Sequence, residues 1–558
     1  MTTLPNQDLD TIFAYHQATK HHFNRFADGP GHLDWATQPD PFRSYSGAPL
    51  GAPLIKLAHV LPGPGDEPLY AAGFQFGHVP PAPADFTSIS QLFLDSLALS
   101  AWKQYGGERW ALRVNPSSGN LHPTEGYLIC GPVPGLTETS MVAHYAPREH
   151  ALEVRAPFPL DMWQAMTAGL PPATVLVGLT SIHWREAWKY GQRAYRYCQH
   201  DVGHALAAIS IAAAGLGWQA HLLDGLSTEQ VAALLGVADQ SGPEAEHADC
   251  LVAIFPHGKD LEGFQNFQSL SPETIGSFHH LTWQGQPNRL SSSHVAWEWI
   301  DAAAAVARKP PTDLTGLSHP VDQQRHLLPD LSGLSLRRII RQRRSAQEMD
   351  GSTVMKREGF YGILARTMPG LSRAPFAALP WEPRVHLAVF VHRVTGIDPG
   401  LYLLVRDPAQ ADDLRAALKP EFAWESPAGC PPSLPFYRLQ TGDARNAARR
   451  ISCGQDIAAD GCFSLGMIAE FERPLAERGA WMYPRLFWEC GMIGQVLYLE
   501  AEAAGLRGTG IGCFFDDAMH ALLGLKDTRY QSLYHFTVGG PEEDRRLTTL
   551  PGYDGVGR

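Results

Sequence analysis

Two stretches of the chain, DVGHALAAISIAAAGLG (201–217) and ECGMIGQVLYLEAEAAGL (489–506), carry small and apolar residues around the whole helical circumference. A surface helix would keep a polar face, so each predicts a buried helix ending at glycine. After each comes a short apolar segment, then an amphipathic helix (STEQVAALLGV, 227–237, and DDAMHALLGL, 516–525), then a β-rich run (CLVAIFPHG, 250–258, and YHFTVGG, 534–540). EGYLICG (125–131), ATVLVGLT (173–180) and RVHLAVFVHRV (384–394) read as further strands, so the chain is α+β.

The two patterns are copies of one another. Asp201-Val-Gly203 falls on Glu489-Cys-Gly491, Gly217 on Gly505 and Leu234–Val237 on Leu522–Leu525 without a gap, at a constant offset (489 − 201 = 288; 522 − 234 = 288). A chain of 558 residues exceeds what one core usually fills. Pro/Gly-rich stretches at 47–84 and about 258–335 divide it into an N-terminal extension (1–85), a first domain (86–265), a linker region (266–331) and a second domain (332–558).

A formal net charge of −12 argues against nucleic acid as the main partner. The eight cysteines form no CxxC pair and read as reduced, mostly structural thiols of a cytoplasmic protein. MTTLPNQDLD has neither the basic nor the apolar part of a signal peptide, and no apolar run reaches the roughly 18–20 residues that span a bilayer. His16, His21 and His22 lack a companion set of carboxylates or cysteines, so a solvated amphipathic helix is expected there and no metal.

Three segments carry candidate chemistry. Arg113-Val-Asn-Pro116-Ser117-Ser118-Gly119-Asn120-Leu-His122-Pro123-Thr-Glu125 offers backbone N–H groups and short polar side chains suited to the edge of a flat polar ring. PSSGN alone also fits a helix N-cap or a Ser-rich turn. Leu336–Gln347 (LRRIIRQRRSAQ) is either a solvated basic face or, through Arg343, Arg344 and Ser345, a seat for a phosphate. Trp188–Tyr197 (WKYGQRAYRY) reads as an aromatic helix with snorkelling cations.

Together these segments resemble the nitroreductase family, and RVNPSSGNLHPTEGYL, with Tyr15-His16-Gln-Ala-Thr19-Lys20-His21 and His144-Tyr145-Ala-Pro147, resembles its SagB/ThcOx dehydrogenase branch. The resemblance implies two tandem nitroreductase-like domains, each a mostly antiparallel sheet flanked by helices, joined as an intramolecular pseudo-dimer. It implies FMN as cofactor, with Pro116, Ser117, Ser118 and Asn120 at the ring. Arg343, Arg344, Ser345 and Gln347 would serve the phosphate end; Gln347 stands where the family signature has Arg. Gly510, Ile511 and Gly512 match the loop facing flavin N5, and Arg545 and Arg546 the final phosphate contacts. KYGxRxYRY gives Lys189 and Tyr190 a catalytic role: one of them accepts a ring proton while hydride passes to N5.

PSSGN occurs only in the first domain and RRS only in the second, and Lys189-Tyr190-Gly191 falls on Glu477-Arg478-Gly479 at the same offset. One working FMN site shared between the copies is therefore expected. The implied activity is two-electron oxidation, with O2 as acceptor, of a heterocyclic or amino-acid- or peptide-derived substrate in natural-product biosynthesis, alongside biosynthetic partner proteins. An NAD(P)H-dependent nitro or quinone reductase and a flavin-less scaffold are the alternatives.

Overall fold

A computed structural model of the chain describes residues 7–60, 67–258, 270–313, 333–370 and 372–553. In the first half, strands β1 (Leu54–Lys56), β2 (Thr124–Cys130), β3 (Ser140–Ala146), β4 (Ala151–Phe158), β5 (Val175–Ser181), β6 (Trp218–Leu222) and β7 (His247–Pro256) form one sheet in the order β1-β4-β3-β2-β5-β7-β6. In the second, β8 (Val385–Val391), β9 (Gly400–Leu404), β10 (Phe436–Thr441), β11 (Phe463–Glu470), β12 (Arg507–Ile511) and β13 (Tyr530–Gly539) are ordered β10-β9-β8-β11-β13-β12. Adding six to each label of β4-β3-β2-β5-β7-β6 gives the second order, so the duplication extends to topology. Every pairing in both sheets is antiparallel. Central strands such as β2, β5 and β8 are buried along their whole length, which is why they read as near-continuous apolar runs.

The helices follow the same repeat. Helix α1 (Gln7–Ala18) opens the chain, and α2 (His183–Tyr190) runs through a short 3-10 turn into α3 (Ala194–Gly215), followed by α4 (Thr228–Leu235). Helix α5 (Leu336–Gln342) starts the second half, and α6 (Met482–Ala503) and α7 (Asp516–Leu523) lie at the positions of α3 and α4 plus 288 (482 − 194 = 288; 516 − 228 = 288). Helix α4 begins on a capping box, Ser227 with Gln230, and ends on left-handed Gly236, as its sequence directs.

Helices α3 and α6 pack on one another and join the two halves. A side chain at Gly203 would meet the Trp488 carbonyl oxygen at 2.2 Å, and one at Gly491 would meet the His200 carbonyl oxygen at 2.1 Å. These contacts are reciprocal (491 − 203 = 288; 488 − 200 = 288), the signature of a two-fold-like interface. The two domains are thus a pseudo-dimer within one chain. The C-terminus crosses between them: Thr548–Pro551 pairs with Leu99–Tyr105, which forms a hairpin with Glu108–Arg113.

The segment before residue 86 contributes β1 to the first sheet and α1 to the helical layer. The expectation of a solvated helix there is corrected for two of its three histidines. His16 is buried, with Nδ1 3.1 Å from the Tyr483 hydroxyl and Nε2 3.3 Å from Gln531 Oε1, and His21 is buried beside Phe26. His16 is covered because its face of α1 packs on Tyr483 of α6 and Gln531 of β13, and His21 because the chain after α1 bridges to Phe515 and donates to Asp516. Within 266–331 the described residues 270–313 include Pro272–Gly276 and Glu298–Val306; Ile275 and Phe278 join a core under the first sheet, and the second helix packs on α1. The remainder of that range lies outside the described residues.

Candidate active site

A cavity of about 600 Å³ opens between the domains. The first domain supplies the Leu99–Arg113 hairpin, the loop 113–122 and Asp201 and His204 from α3; the second supplies Gln342–Gln347, Tyr498 of α6, Thr509 and Gly510 of β12, and Tyr534 of β13. Of the residues singled out in the sequence, Pro116, Ser117, Ser118, Asn120, Arg343, Arg344, Ser345, Gln347 and Gly510 all line it.

One end is basic. Helix α5 stops at Gln342, and Arg343, with φ −52° and ψ 129°, takes the chain out of the helix ahead of Arg344. Arg343 is buried across the Tyr498 ring (5.0 Å) and donates to the Arg113 carbonyl, 3.0 Å. Arg344 donates to the Ser100 carbonyl, 3.1 Å. Burial and the neighbouring Arg343 and Arg507 pull Arg344 down to about 10. Arg507 is neutralised by Glu502. Neither Arg343, Arg344 nor Lys103 has an ion-pair partner among the described residues, although Glu542, Glu543 and Asp544 also face the cavity. Arg343 Nε has no hydrogen-bond partner either. Buried, mutually repelling cations with free donors suit a bound phosphate. Ser345 Oγ and the Gly510 amide both donate to the Tyr498 hydroxyl, at 3.1 and 2.9 Å.

The opposite wall is the loop 113–122. Gly119, Asn120 and His122 all have positive φ (61°, 60° and 52°), a conformation that favours Gly and tolerates Asn. Asn120 closes the turn, donating to the Ala111 carbonyl (2.8 Å) while its Oδ1 lies 2.9 Å from His122 Nε2. Ser117 Oγ accepts from the His122 amide, 2.8 Å. A side chain at Gly510 would come within 1.9 Å of the Tyr534 hydroxyl, so only glycine leaves this part of β12 open.

Beneath the loop lie two buried carboxyl groups. Ser118 N donates to Asp201 Oδ1 (3.3 Å) and Ser117 Oγ to Glu186 Oε1 (3.3 Å). Burial raises the pKa of both, and the charge of Asp201 pushes Glu186 further. Lys189 and Tyr190 end α2 just outside the cavity wall: a Cβ on Gly119 would sit 2.6 Å from the Tyr190 hydroxyl and 3.1 Å from Lys189 Nζ. Burial, then Glu186, lifts Tyr190 well above its ordinary value, so it is a neutral phenol at pH 7. Gly191 (φ 56°) breaks the helix here, and a side chain on it would strike the Asp28 carbonyl at 2.4 Å. Gln192 N donates to that carbonyl and Trp188 Nε1 donates to the Thr37 hydroxyl, so the N-terminal segment clamps the Lys189–Tyr190 turn.

Four candidates stand apart. Ile511 is in the core beyond the second sheet, and Gly512 packs on Tyr197, its carbonyl accepting from that hydroxyl at 3.1 Å. Arg545 is exposed, as is Arg546, which pairs with Asp544 (2.8 Å). Sequence reasoning missed Lys103, His204, Tyr498 and Tyr534, which long-range folding brings in, and Glu186 and Asp201. Asp201 had a signal: it heads the repeat.

The nitroreductase family model matches residues 107–254 and 402–540, and the chain belongs to the nitroreductase family. No curated protein matches it. Among solved structures, a protein of Anabaena variabilis described as a candidate nitroreductase is 21% identical, with a TM-score of 0.67 over 95% of this chain and 99% of that one. The E. coli microcin synthetase McbBCD complex (16% identity, 46% of this chain and 95% of that one, TM-score 0.27) and the NADPH:FMN oxidoreductase of Vibrio harveyi (15%, 36% and 66%, TM-score 0.21) also match. The first likeness is one of fold.

Proposed function

We propose that the chain is an FMN-dependent dehydrogenase or oxidase of the SagB/ThcOx type that binds one FMN in the interdomain cavity. Its substrate would be a heterocycle or an amino-acid- or peptide-derived molecule of natural-product biosynthesis, with O2 as terminal acceptor. The observation that carries this reading is the placement of Lys189 and Tyr190 against Gly119 of the Pro116–Asn120 loop, opposite the Arg343–Arg344 end.

The residues present fit the cofactor. Arg343, Arg344 and Lys103 would hold its phosphate, Ser117, Ser118 and Asn120 the ring edge, and Gly510 leaves room that any side chain would fill. When bound, FMN supplies a two-electron acceptor. The protein's share is positioning and proton handling. Tyr190 keeps its proton and donates a hydrogen bond to a substrate heteroatom, and Lys189 beside it would serve the proton that the substrate gives up together with a hydride when two hydrogens are removed.

The test is twofold. Flavin released from purified protein, measured by absorbance against protein, is expected at one per chain; two would overturn the shared site, and failure to reconstitute any would support a scaffold. With a thiazoline- or oxazoline-containing peptide, the wild type removes two hydrogens by mass. Lys189→Ala and Tyr190→Phe keep the flavin and lose this turnover; unimpaired turnover would remove their proposed roles.

A further inference from the structure

Two cysteines outside the cavity meet at the surface. Cys453 follows the helix Arg445–Ile451, Cys513 follows β12, and their Sγ atoms are 2.7 Å apart. Both are partly exposed, whereas Cys130, Cys198, Cys250, Cys462 and Cys490 are buried. The two loops are held together independently of the sulfurs, since Phe515 N donates to the Ile451 carbonyl (2.7 Å) and Gln455 Nε2 to the Cys513 carbonyl (3.1 Å). Cys453 has φ 54°, a left-handed conformation in which a cysteine at a helix end is strained and Gly or Asn would be expected.

The surroundings make the two thiols unequal. The hydrogen bond between the two sulfurs holds Cys513 down to about 5, opposed by burial and helped by a hydrogen bond from His21 and the charge of Arg193. His21 is preset for that bond. Its Nδ1 accepts from the Ala27 amide at 2.9 Å, so the ring proton is on Nε2 and points to the sulfur. Asp516 does not cancel Arg193 at this site alone, because it is shared with Arg196.

We propose that Cys513 and Cys453 are a redox-active dithiol that exchanges with low-molecular-weight disulfides of the glutathione class, Cys513 attacking and Cys453 resolving. The Cys513 thiolate attacks one sulfur of RS–SR; that S–S bond breaks, one RS⁻ leaves and takes a proton from solvent, and a Cys513–SR mixed disulfide forms. With Cys513 capped, the anion that kept the Cys453 proton in place is gone. Cys453 loses its proton to solvent and attacks Cys513 Sγ, expelling the second RSH. Two protein thiols are oxidised and one disulfide is reduced to two thiols. The site lies beside Tyr197, whose ring is 4.6 Å from that of Tyr190, but the chemistry needs no flavin.

The experiment uses the full-length, pre-reduced protein and oxidised glutathione, read by intact mass and by alkylation of all thiols after denaturation. The wild type is expected to lose two of its eight thiols, fall in mass by two hydrogens, keep no glutathione and yield a Cys453–Cys513 linked peptide that a dithiol reductant releases. Cys453→Ser is expected to trap one glutathione on Cys513, and Cys513→Ser to trap none at Cys453. His21→Gln slows disulfide formation in the otherwise native protein. Retention of all eight thiols by the wild type, or equal glutathione uptake at Cys430, would overturn the proposal.

Discussion

The duplication creates two corresponding interfaces between the domains, and among the described residues the large cavity lies at one of them. There, the loop before β2 stands back from β12, and Gly510 keeps the gap open. At the other, the corresponding loop before β8 carries the 3-10 turn Phe376–Ala378, which packs directly on β6. From the N-terminal extension, Phe76 packs with Ala214 and Ala374, Phe74 lies beside Ala374, and Phe76 N donates to the Ser372 carbonyl, 2.9 Å. The space left beside Phe74 is about 10 Å³, room for a single water at most and far short of the cavity at the first interface. One fold thus yields an open interface and a filled one, where Phe74 stacks under Arg366 and that cation is paired with Glu500, and the difference lies in a few side chains on a shared frame.

The frame itself is symmetric, which the tightest contacts can test. Gly203→Ala and Gly491→Ala each drive a methyl into a backbone carbonyl of the facing helix, and overpacking of that kind costs about 3 kcal/mol. Denaturation midpoints should fall for both variants and by similar amounts. A tolerated substitution at one position only would show that the helix pair is not equivalent on its two sides.

The next contrast concerns the carboxylate that heads each repeat. Glu489 accepts from the backbone N–H groups of Arg384 and Val385 and is ion-paired with Arg406, all buried. Glu489→Gln leaves the Arg406 charge without its partner, and loss of one member of a buried pair costs about 3 kcal/mol or more. Urea unfolding at pH 7 measures it; an unchanged midpoint would mean that Arg406 is held by the Thr367 and Val385 carbonyls alone.

Much of this was legible in the sequence. The 288-residue offset fixes α3 against α6 and α4 against α7 to the residue, because buried helices leave an unmistakable all-round apolar pattern and surface helices a capping one. PSSGN and RRS were readable as local motifs, and their complementary loss from the two copies pointed to a shared site. What the sequence did not yield is long-range. Lys103, Tyr498 and Tyr534 come from a hairpin, a helix and a strand with no motif of their own. The helix around His16 read as solvated, since the buried His16 and the Trp35–Thr37 turn find partners hundreds of residues away or across a loop. The Cys453–Cys513 pair is invisible at a spacing of sixty residues.

The smallest expected effect has the opposite sign and tests the same position in the other copy. Asp201 occupies the place of Glu489, yet no arginine pairs with it among the described residues; it faces Glu186 instead, and burial raises it from 3.8 to about 8. A carboxyl group whose pKa is higher folded than unfolded binds an extra proton in the native state. It carries no penalty below the unfolded value, and it destabilises the fold increasingly as pH rises from there toward the folded value. Asp201→Asn keeps an oxygen to accept from Ser118 N and removes that penalty. Its melting temperature should match the wild type near pH 4 and exceed it at pH 8, by a stabilisation of about 1 kcal/mol once solvent penetration and relaxation are allowed for. Glu489→Gln should remain destabilising at both. A pH-independent loss for Asp201→Asn would show that the carboxylate is held ionised under the loop as firmly as its counterpart, and the two copies would then differ in their loops but not in what anchors them.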